Sequence, residues 1–496
     1  MCGITGAHGG GWEGAEQALG LLRHRGPDGE VVTPFANGYL GHTRLAIVDV
    51  AGGQQPMPDD TGKRWLICNG EIYNHPLLRE KYSAYAFKTH SDSEDILAAY
   101  HQCGADVMRQ LEGMYAFAIR DGEDLLLARD PLGIKPLYFG RSNSTLYFAS
   151  EIKALQDHVD APEEFPAGHV YTSRQGMRRY YDLEAAARRQ SEPDRRVTPA
   201  DVRAQLEEAI ISHLMSDVPL GVFLSGGLDS SIIAAVVARE QPNVHSFSVG
   251  MAESRDLVYA REVARHIGTT HHEEIYTEQM MIDALPDVIY YLESFDPALV
   301  RSAVANYFLA RLARRYVKVI LSGEGADELY SGYSYLKRFK TPADLEQELL
   351  EITAELHNRN LQRLDRMTMA HGLEGRVPFL DRRFVEFSFT VPIELKLYGA
   401  DQTEKWILRK AFEDLLPYEV VWRPKEKFAE GAGSAHVFVR LADRTITDEV
   451  FAQEAALALE ETGHTIRSKE ELYYYRVFRR FFKASTVPLV GFSRSL

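Results

Sequence analysis

Two places in the 496-residue chain pair reactive side chains with a setting that would activate them. The first is Cys2. Its small side chain favours removal of Met1, which would leave a cysteine with a free α-amine. Such an amine ionises at about 7.7–8.0. Part of it is therefore neutral at physiological pH and can take the thiol proton, uniting nucleophile and base in one residue. The second place is the segment VPLGVFLSGGLDSSIIAAVVARE, in which an apolar strand ends at Leu224. Ser225, Gly226 and Gly227 turn the chain there, and Asp229, Ser230 and Ser231 open a helix. Glycines let backbone approach a ligand closely. Loop N–H groups and a helix N-terminus together suit an anion such as phosphate. The string GxxxxGK[ST] of another phosphate loop is absent.

A second strand, 317–321, runs into Ser322-Gly323-Glu324-Gly325-Ala326-Asp327-Glu328. Ligands of open α/β sheets sit at the carboxyl ends of the strands, where both loops would fall. Asp229 and Asp327 would then share Mg²⁺, a hard ion held by a few carboxylates plus substrate phosphates.

Elements must position these residues. Up to about residue 180 the chain reads as β-rich, with short apolar runs (40–50, 65–68, 114–120, 125–128, 146–149) between Gly, Asn and Asp punctuation. Helices are expected over 15–23 and from Ser91 or Ser93 to Tyr100. Residues 185–200 carry charges, two prolines and no apolar period, and read as a linker. Beyond it, helix and strand alternate. Helices are expected from Thr198 or Asp201 to Leu214, over 231–240 and over 308–316, with strands at 220–224, 245–249 and 317–321. Near-continuous apolar strands in that order mean a parallel sheet covered on both faces. From Asp344 onward helices dominate.

Composition bounds the partners. Hydrophobic residues make up 45% and charged residues 26%, which excludes disordered and collagen-like classes. A net charge of −15 argues against nucleic acid as the main partner. No run approaches the ~18 apolar residues of a membrane span. Three cysteines are too few for a disulfide framework and fit a reducing compartment. With no basic start or long apolar stretch at the N-terminus, a cytoplasmic protein is expected.

Further strings appear in order: MCGI, RHRGPD (23–28), RLAIVD (44–49), CNGEIYN (68–74), SDSE (91–94), RDPLGIKPLY (129–138) and FASE (148–151). Together they resemble the class II glutamine amidotransferases. SGGLDSS resembles the pyrophosphate loop of the N-type ATP pyrophosphatases. Joined to SGEGADE, LQRLDRM (361–367), EGRVPFLD (374–381), KWILRK (405–410) and WRPKEKF (422–428), the whole is similar to the glutamine-hydrolysing asparagine synthetases. The resemblance covers nearly the entire chain. It implies an α/β multidomain protein: an N-terminal nucleophile αββα sandwich at 1–184, a linker at 185–200, and at 201–496 a mostly parallel-sheet pyrophosphatase-like domain with a helical C-terminal part.

The resemblance also implies roles. Cys2 attacks glutamine. Arg44 meets the glutamine carboxylate, and Glu71 and Asp92 meet its ammonium. The Asn69 side chain and Gly70 N–H hold the oxyanion. Adenosine lies near Leu224, Val249, Ser322 and Gly323, with the pyrophosphate on residues 225–230. Glu324 assists adenylate formation and attack by ammonia, Lys425 lies against the phosphates, and Arg301 positions aspartate or phosphate. The implied reactants are glutamine, aspartate and ATP, with Mg²⁺. No nucleic acid or membrane partner is expected, and a homodimer is left open. Two departures stand out. Some relatives carry Thr-Thr-Ile-Arg where this chain has Ala298-Leu299-Val300-Arg301, which lacks the hydroxyls. Relatives usually read EARVPFLD where this chain has Gly375, for which little effect beyond a looser loop is expected. Two alternatives stay open: another carboxylate acceptor, as in β-lactam synthetases, and a non-catalytic relative.

Four other signals are set aside. GGGWEG at 9–14 lacks a following βαβ unit. His271 and His272, adjacent on a strand, point to opposite faces and cannot easily share an ion. The sequon at Asn143 is idle in a cytoplasmic protein. The basic, aromatic segment 467–496 reads as an amphipathic closing helix.

Overall fold

A computed structural model describes residues 2–11, 13–190, 196–424, 431 and 436–493. Strand alternation builds the N-terminal half. In the Arg64–Ile72 strand, Leu66 and Cys68 enter one apolar cluster and Ile67 enters another. Successive side chains point to opposite faces, so a strand buried on both sides must sit between two layers. Two antiparallel six-stranded sheets result. One runs, edge to edge, Glu163–Glu164, Tyr138–Ser142, Thr145–Ala149, Cys2–His8, Gly38–Arg44, Gly29–Phe35. The other runs Gly176–Arg179, His169–Thr172, Asp124–Arg129, Gly113–Asp121, Arg64–Ile72, Met57–Pro58. Ile4, Leu40 and Phe148 of the first meet Ile67, Ala118 and Leu127 of the second in one core. The Ala15–Gly20 helix covers the outer face of the first sheet, and the Glu94–Cys103 helix that of the second. This is an αββα sandwich.

The C-terminal half is built on five parallel strands in the order Thr270–Ile275, His245–Gly250, Leu220–Phe223, Val319–Leu321, Glu374–Arg376. The Leu228–Glu240 helix is buried along most of its length. The Pro199–Ser212 helix opens on a capping box in which Thr198 and Asp201 each accept from the other's backbone N–H. Among the described residues, no helix is long and apolar enough to cross a membrane.

Several expected boundaries move. The helix expected over 308–316 spans Pro297–Ala313, because Asp296 accepts from Leu299 N–H at 2.9 Å and Pro297 occupies the first turn. Its length was hidden because it is buried almost all round and carries no amphipathic period. The first part of the expected linker is a helix, Leu183–Gln190, packed on the Arg382–Ser388 helix. Gly375 lies in no loop: it sits in the buried Glu374–Arg376 strand, where a Cβ would come within 3.1–3.4 Å of Leu364. His271 bonds Ser246 and Ser248 while His272 bonds His245, so the two rings do face opposite ways. The C-terminal segment folds as the Lys469–Phe478 helix followed by a 3₁₀ turn, Ala484–Leu489.

The halves meet across a cluster of buried charges. Arg25 donates to Glu151 at 2.7 Å and, in a fork, to Asp365 at 2.8 and 3.1 Å. Arg366 lies 3.1 Å from Glu151 and 3.0 Å from Glu293. Lys153 bridges Glu151 and Glu293 at 2.5 and 2.9 Å. Glu293 also accepts the backbone N–H groups of Ile152 and Lys153. All six side chains are less than 5% exposed. Burial alone would raise the Glu151 carboxyl, but His24, Lys153, Arg366 and Arg25 hold it well below the carboxylate range. Removing one partner from such a cluster strands the others. Arg366→Met is expected to cost about 3–5 kcal/mol, read as a lower denaturant midpoint at pH 7.

Candidate active sites

Cys2 begins the first sheet's Cys2–His8 strand, paired with Arg44 across the register. Its backbone nitrogen donates to Asn69 Oδ1 at 3.1 Å, and its carbonyl accepts from Arg25 Nε at 3.0 Å. The Asn69 amide nitrogen is buried and bonds to no described residue. One end of the amide thus anchors the Cys2 nitrogen while the other remains an unengaged buried donor, the kind of group that an oxyanion requires. Gly70 follows in the same strand; a Cβ there would lie 2.2 Å from Met114 O, so backbone can pass there only as glycine. Burial pushes the Cys2 thiol up, while the Leu45 N–H and the Arg44 guanidinium pull the other way.

Arg44 donates to the carbonyls of Asp49 and Val50, which hold its guanidinium in place. Asp92 accepts the Ile72 N–H at 2.7 Å. Glu71 Oε2 is buried without a hydrogen bond among the described residues and lies 3.7 Å from Arg376. Burial and then repulsion from Glu374 and Asp92 push the Glu71 carboxyl well up. Burial raises Asp92 to about 6 against the pull of Ile72 N–H and His75. Two desolvated carboxylates with poorly compensated charge form a site for a cation.

The second site lies where the parallel strands end. Ser225 N–H and Ser225 Oγ both reach Ser230 Oγ, at 3.2 and 3.1 Å, and Ser225 Oγ accepts from Gly227 N–H at 3.3 Å. The loop closes on itself around its backbone N–H groups. Gly226 has φ +71, and a Cβ there would lie 2.4 Å from Tyr259 Cβ. Gly323 sits against the start of the Leu228–Glu240 helix, where a Cβ would come 2.9 Å from Asp229 Cβ. The two loops therefore touch. Leu224 N–H bonds Phe247 O, and Ser322 N–H bonds Arg376 O, so each loop hangs from a neighbouring strand. Val249 is buried on the adjacent strand.

Carboxylates and cations meet here. Lys405, itself buried, places its ammonium 2.6 Å from Asp229 and 2.5 Å from Asp327. The two aspartates converge on one cation position, so the donor set fits a hard metal ion with phosphate completing its shell. Glu324 accepts from Arg363 at 2.6 Å. Burial and then the Asp327 charge raise Glu328 to about 7, and Tyr333 and Asn360 donate to it. Arg301 turns elsewhere: its guanidinium is paired with Glu470 of the Lys469–Phe478 helix. Lys425 lies outside the described residues.

Arg25, Arg363, Arg376 and Lys405 carry no role in the sequence reading, although each stands in a quoted string. Their partners are distant in the chain, and spacing gives no sign of them.

The family described as Glutamine amidotransferase domain matches residues 1–191. That described as Asparagine synthase matches residues 201–349 and 337–487. The chain is 38% identical over 491 residues to a glutamine-hydrolyzing asparagine synthetase of Triphysaria versicolor, spanning 94% of this chain and 83% of that protein. It is 39% identical to asparagine synthetase B (glutamine-hydrolyzing) of Escherichia coli strain K12, spanning 93% of this chain and 87% of that protein. Against the glutamine-hydrolyzing asparagine synthetase 1 of Saccharomyces cerevisiae, identity is 38%, spanning 94% and 90%.

The raised Asp92 carboxyl yields a direct check. In protein labelled with [¹³C]aspartate, a carboxyl titrating near pH 6 is expected, and Asp92→Asn should remove it. Because the folded-state pKa is raised, the group's contribution to stability is lost as pH rises through about 6. Asp92→Asn should therefore not lower the unfolding temperature at pH 7.

Proposed function

This chain belongs to the glutamine-hydrolysing asparagine synthetases, and we propose that it amidates aspartate with nitrogen from glutamine, using ATP, at the two sites just described. The observation that carries this reading is the arrangement at Cys2. The Asn69 amide holds the cysteine's nitrogen and keeps its own donor unengaged, and the buried carboxylates of Glu71 and Asp92 suit an ammonium.

In the first site, Met1 is removed and the α-amine of Cys2 takes the thiol proton. The thiolate attacks the glutamine amide carbon. Asn69 Nδ2 and Gly70 N–H stabilise the oxyanion, the C–N bond breaks, and the amine returns its proton to the leaving ammonia. Water then hydrolyses the thioester, releasing glutamate and restoring the thiol. Arg44 faces the substrate carboxylate through its remaining guanidinium donors, and Glu71 and Asp92 receive the ammonium.

In the second site, the backbone of residues 225–230 cradles the pyrophosphate of ATP, with adenosine near Leu224, Val249, Ser322 and Gly323. An oxygen of the aspartate β-carboxylate attacks the α-phosphorus, and the bond to the β-phosphate breaks. Ammonia then attacks the acyl carbon, AMP leaves, and a proton is lost from nitrogen. Glu324 is the carboxylate placed to accept that proton, held until then by Arg363. Lys425 would lie against the phosphates. Asp229 and Asp327 would hold Mg²⁺, with Lys405 yielding its place between them; the ion would neutralise phosphate charge as pyrophosphate departs. Arg301, to position aspartate or phosphate, would have to leave its partner Glu470.

Ammonia must cross between the sites without protonation by water. Leu45, Ile47, Met114 and Ile134 of the first half share one continuous apolar core with Leu364 and Val377 of the second, and such a seam suits a neutral molecule.

The test is to incubate the protein with [amide-¹⁵N]glutamine, ATP, Mg²⁺ and aspartate and to identify products by mass. Labelled asparagine, glutamate, AMP and pyrophosphate are expected; pyrophosphate release with a different carboxylate but none with aspartate would overturn the acceptor. Cys2→Ala should lose at least ~10³-fold in glutamine-dependent synthesis and keep synthesis from ammonia. Glu324→Gln should do the converse, losing synthesis from either nitrogen source while glutamine hydrolysis stays measurable.

A further inference from the structure

Arg301, the cation that the sequence offered for the acceptor, is paired with Glu470, and Lys405 stands between Asp229 and Asp327. The cation in contact with Glu324 is Arg363, from the Asn360–Met369 helix. It is only 9% exposed, and its donors are unevenly used. Nη1 donates to Ser302 Oγ at 3.0 Å. That hydroxyl gives its own proton to the carbonyls of Ala298 and Leu299, at 3.1 and 3.0 Å, which leaves its lone pairs for Arg363. Nη2 donates to Glu324 Oε1 at 2.6 Å. Nε, on the same edge as Nη2, is buried and bonds to no described residue. In Arg476 the same edge takes both oxygens of Glu454, at 2.7 Å each. Glu324 therefore occupies half of an edge shaped for a whole carboxylate.

We propose that this edge of Arg363 is the subsite for the acceptor's α-carboxylate: Nε and Nη2 take its two oxygens, and Glu324 is displaced as it binds. The inference rests on the reading above, in which aspartate is the acceptor and Glu324 the base. Its physical basis is the cost of a buried guanidinium without a countercharge, which obliges one carboxylate or another to hold Arg363 at all times. A two-bond grip is stronger and more directional than a single contact, so the exchange favours the substrate. Ser302 keeps the guanidinium plane from turning meanwhile. In aspartate the β-carboxyl is one methylene from the carbon that bears the α-carboxylate, so an acceptor held by Arg363 brings its reacting carboxyl alongside the released Glu324. The base is set free by the molecule it serves. An acid with a single carboxylate would leave Nε unfilled and Glu324 still bound. A site whose buried donors stay unpaired with an analogue rejects that analogue strongly, so the acceptor class is an acid that carries a second carboxylate.

The test uses the full chain with ATP, Mg²⁺ and saturating ammonia. Pyrophosphate release is read with aspartate and with β-alanine, which is aspartate without its α-carboxylate. The wild type should use β-alanine at least ~100-fold less well than aspartate in kcat/KM. Arg363→Gln should raise KM for aspartate at least ~30-fold while KM for ATP rises less than about threefold. Arg363→Lys, which keeps the charge and loses the fork, should recover part of the loss. Should neither variant fold, Ser302→Ala, which frees the guanidinium plane to turn, should raise KM for aspartate at least about threefold on the same split. A wild type that uses the two acids equally well overturns the subsite. So does an Arg363→Gln protein with an unaltered KM for aspartate, or one in which the KM values for aspartate and ATP rise together. A wild type that releases no pyrophosphate with aspartate would instead overturn the functional reading.

Discussion

Two arginines buried between three carboxylates set the geometry on which both sites depend. Arg25 and Arg366 come from different halves of the chain; Arg25 pairs with Glu151 and Asp365, and Arg366 with Glu151 and Glu293. Taking so many charges out of water is costly, and their mutual attraction repays that cost only when the geometry is good. A greasy seam of equal area would hold the halves together in many orientations. A cluster of hydrogen-bonded charges accepts one. The Cys2 strand and the Asn360–Met369 helix are thereby placed relative to each other to within a hydrogen bond.

The two sites solve opposite electrostatic problems. Around Cys2 two buried groups are acidic: Glu71 and Asp92 are desolvated, and their carboxyls are pushed upward. That pocket suits an amino acid's ammonium. At the ends of the parallel strands, loop N–H groups gather, and Lys405 offsets one of the two charges of Asp229 and Asp327. An overall charge of −15 therefore coexists with a site for phosphates, because the local field comes from backbone and from a few placed cations.

What the sequence disclosed follows from how local each signal is. Three strands of the parallel sheet were legible from short apolar runs, and both ligand loops from the glycines and acidic residues at their ends; the two edge strands, Thr270–Ile275 and Glu374–Arg376, carry no such run. The Thr198 cap was legible because its partner lies three residues on. The Pro297–Ala313 helix was obscured because burial on all sides erases the amphipathic period. Gly375 looked like a loosened loop, yet it lies in a strand against Leu364, a contact that spacing cannot show. Lys405, Arg363 and Arg25 were hardest to read. Arg25 and Asp365 lie 340 residues apart, and Lys405 and Asp229 lie 176 apart. A lone charge in a motif looks the same whether it faces water or a buried partner, and nothing in the spacing shows that Arg301 pairs with Glu470.

The seam also bears on how such a protein can change over time. Glu151 serves Arg25 and Lys153 of its own half and Arg366 of the other, and Glu293 reaches back to Lys153 and to the backbone at residues 152–153. Neither half carries a complete set of countercharges. A substitution accepted in one becomes a liability in the other until a matching change arises. Grafting either half onto a foreign partner would import half a cluster. The two catalytic units, separable as chemistry, are thus bound into one unit of inheritance, exchanged together or not at all.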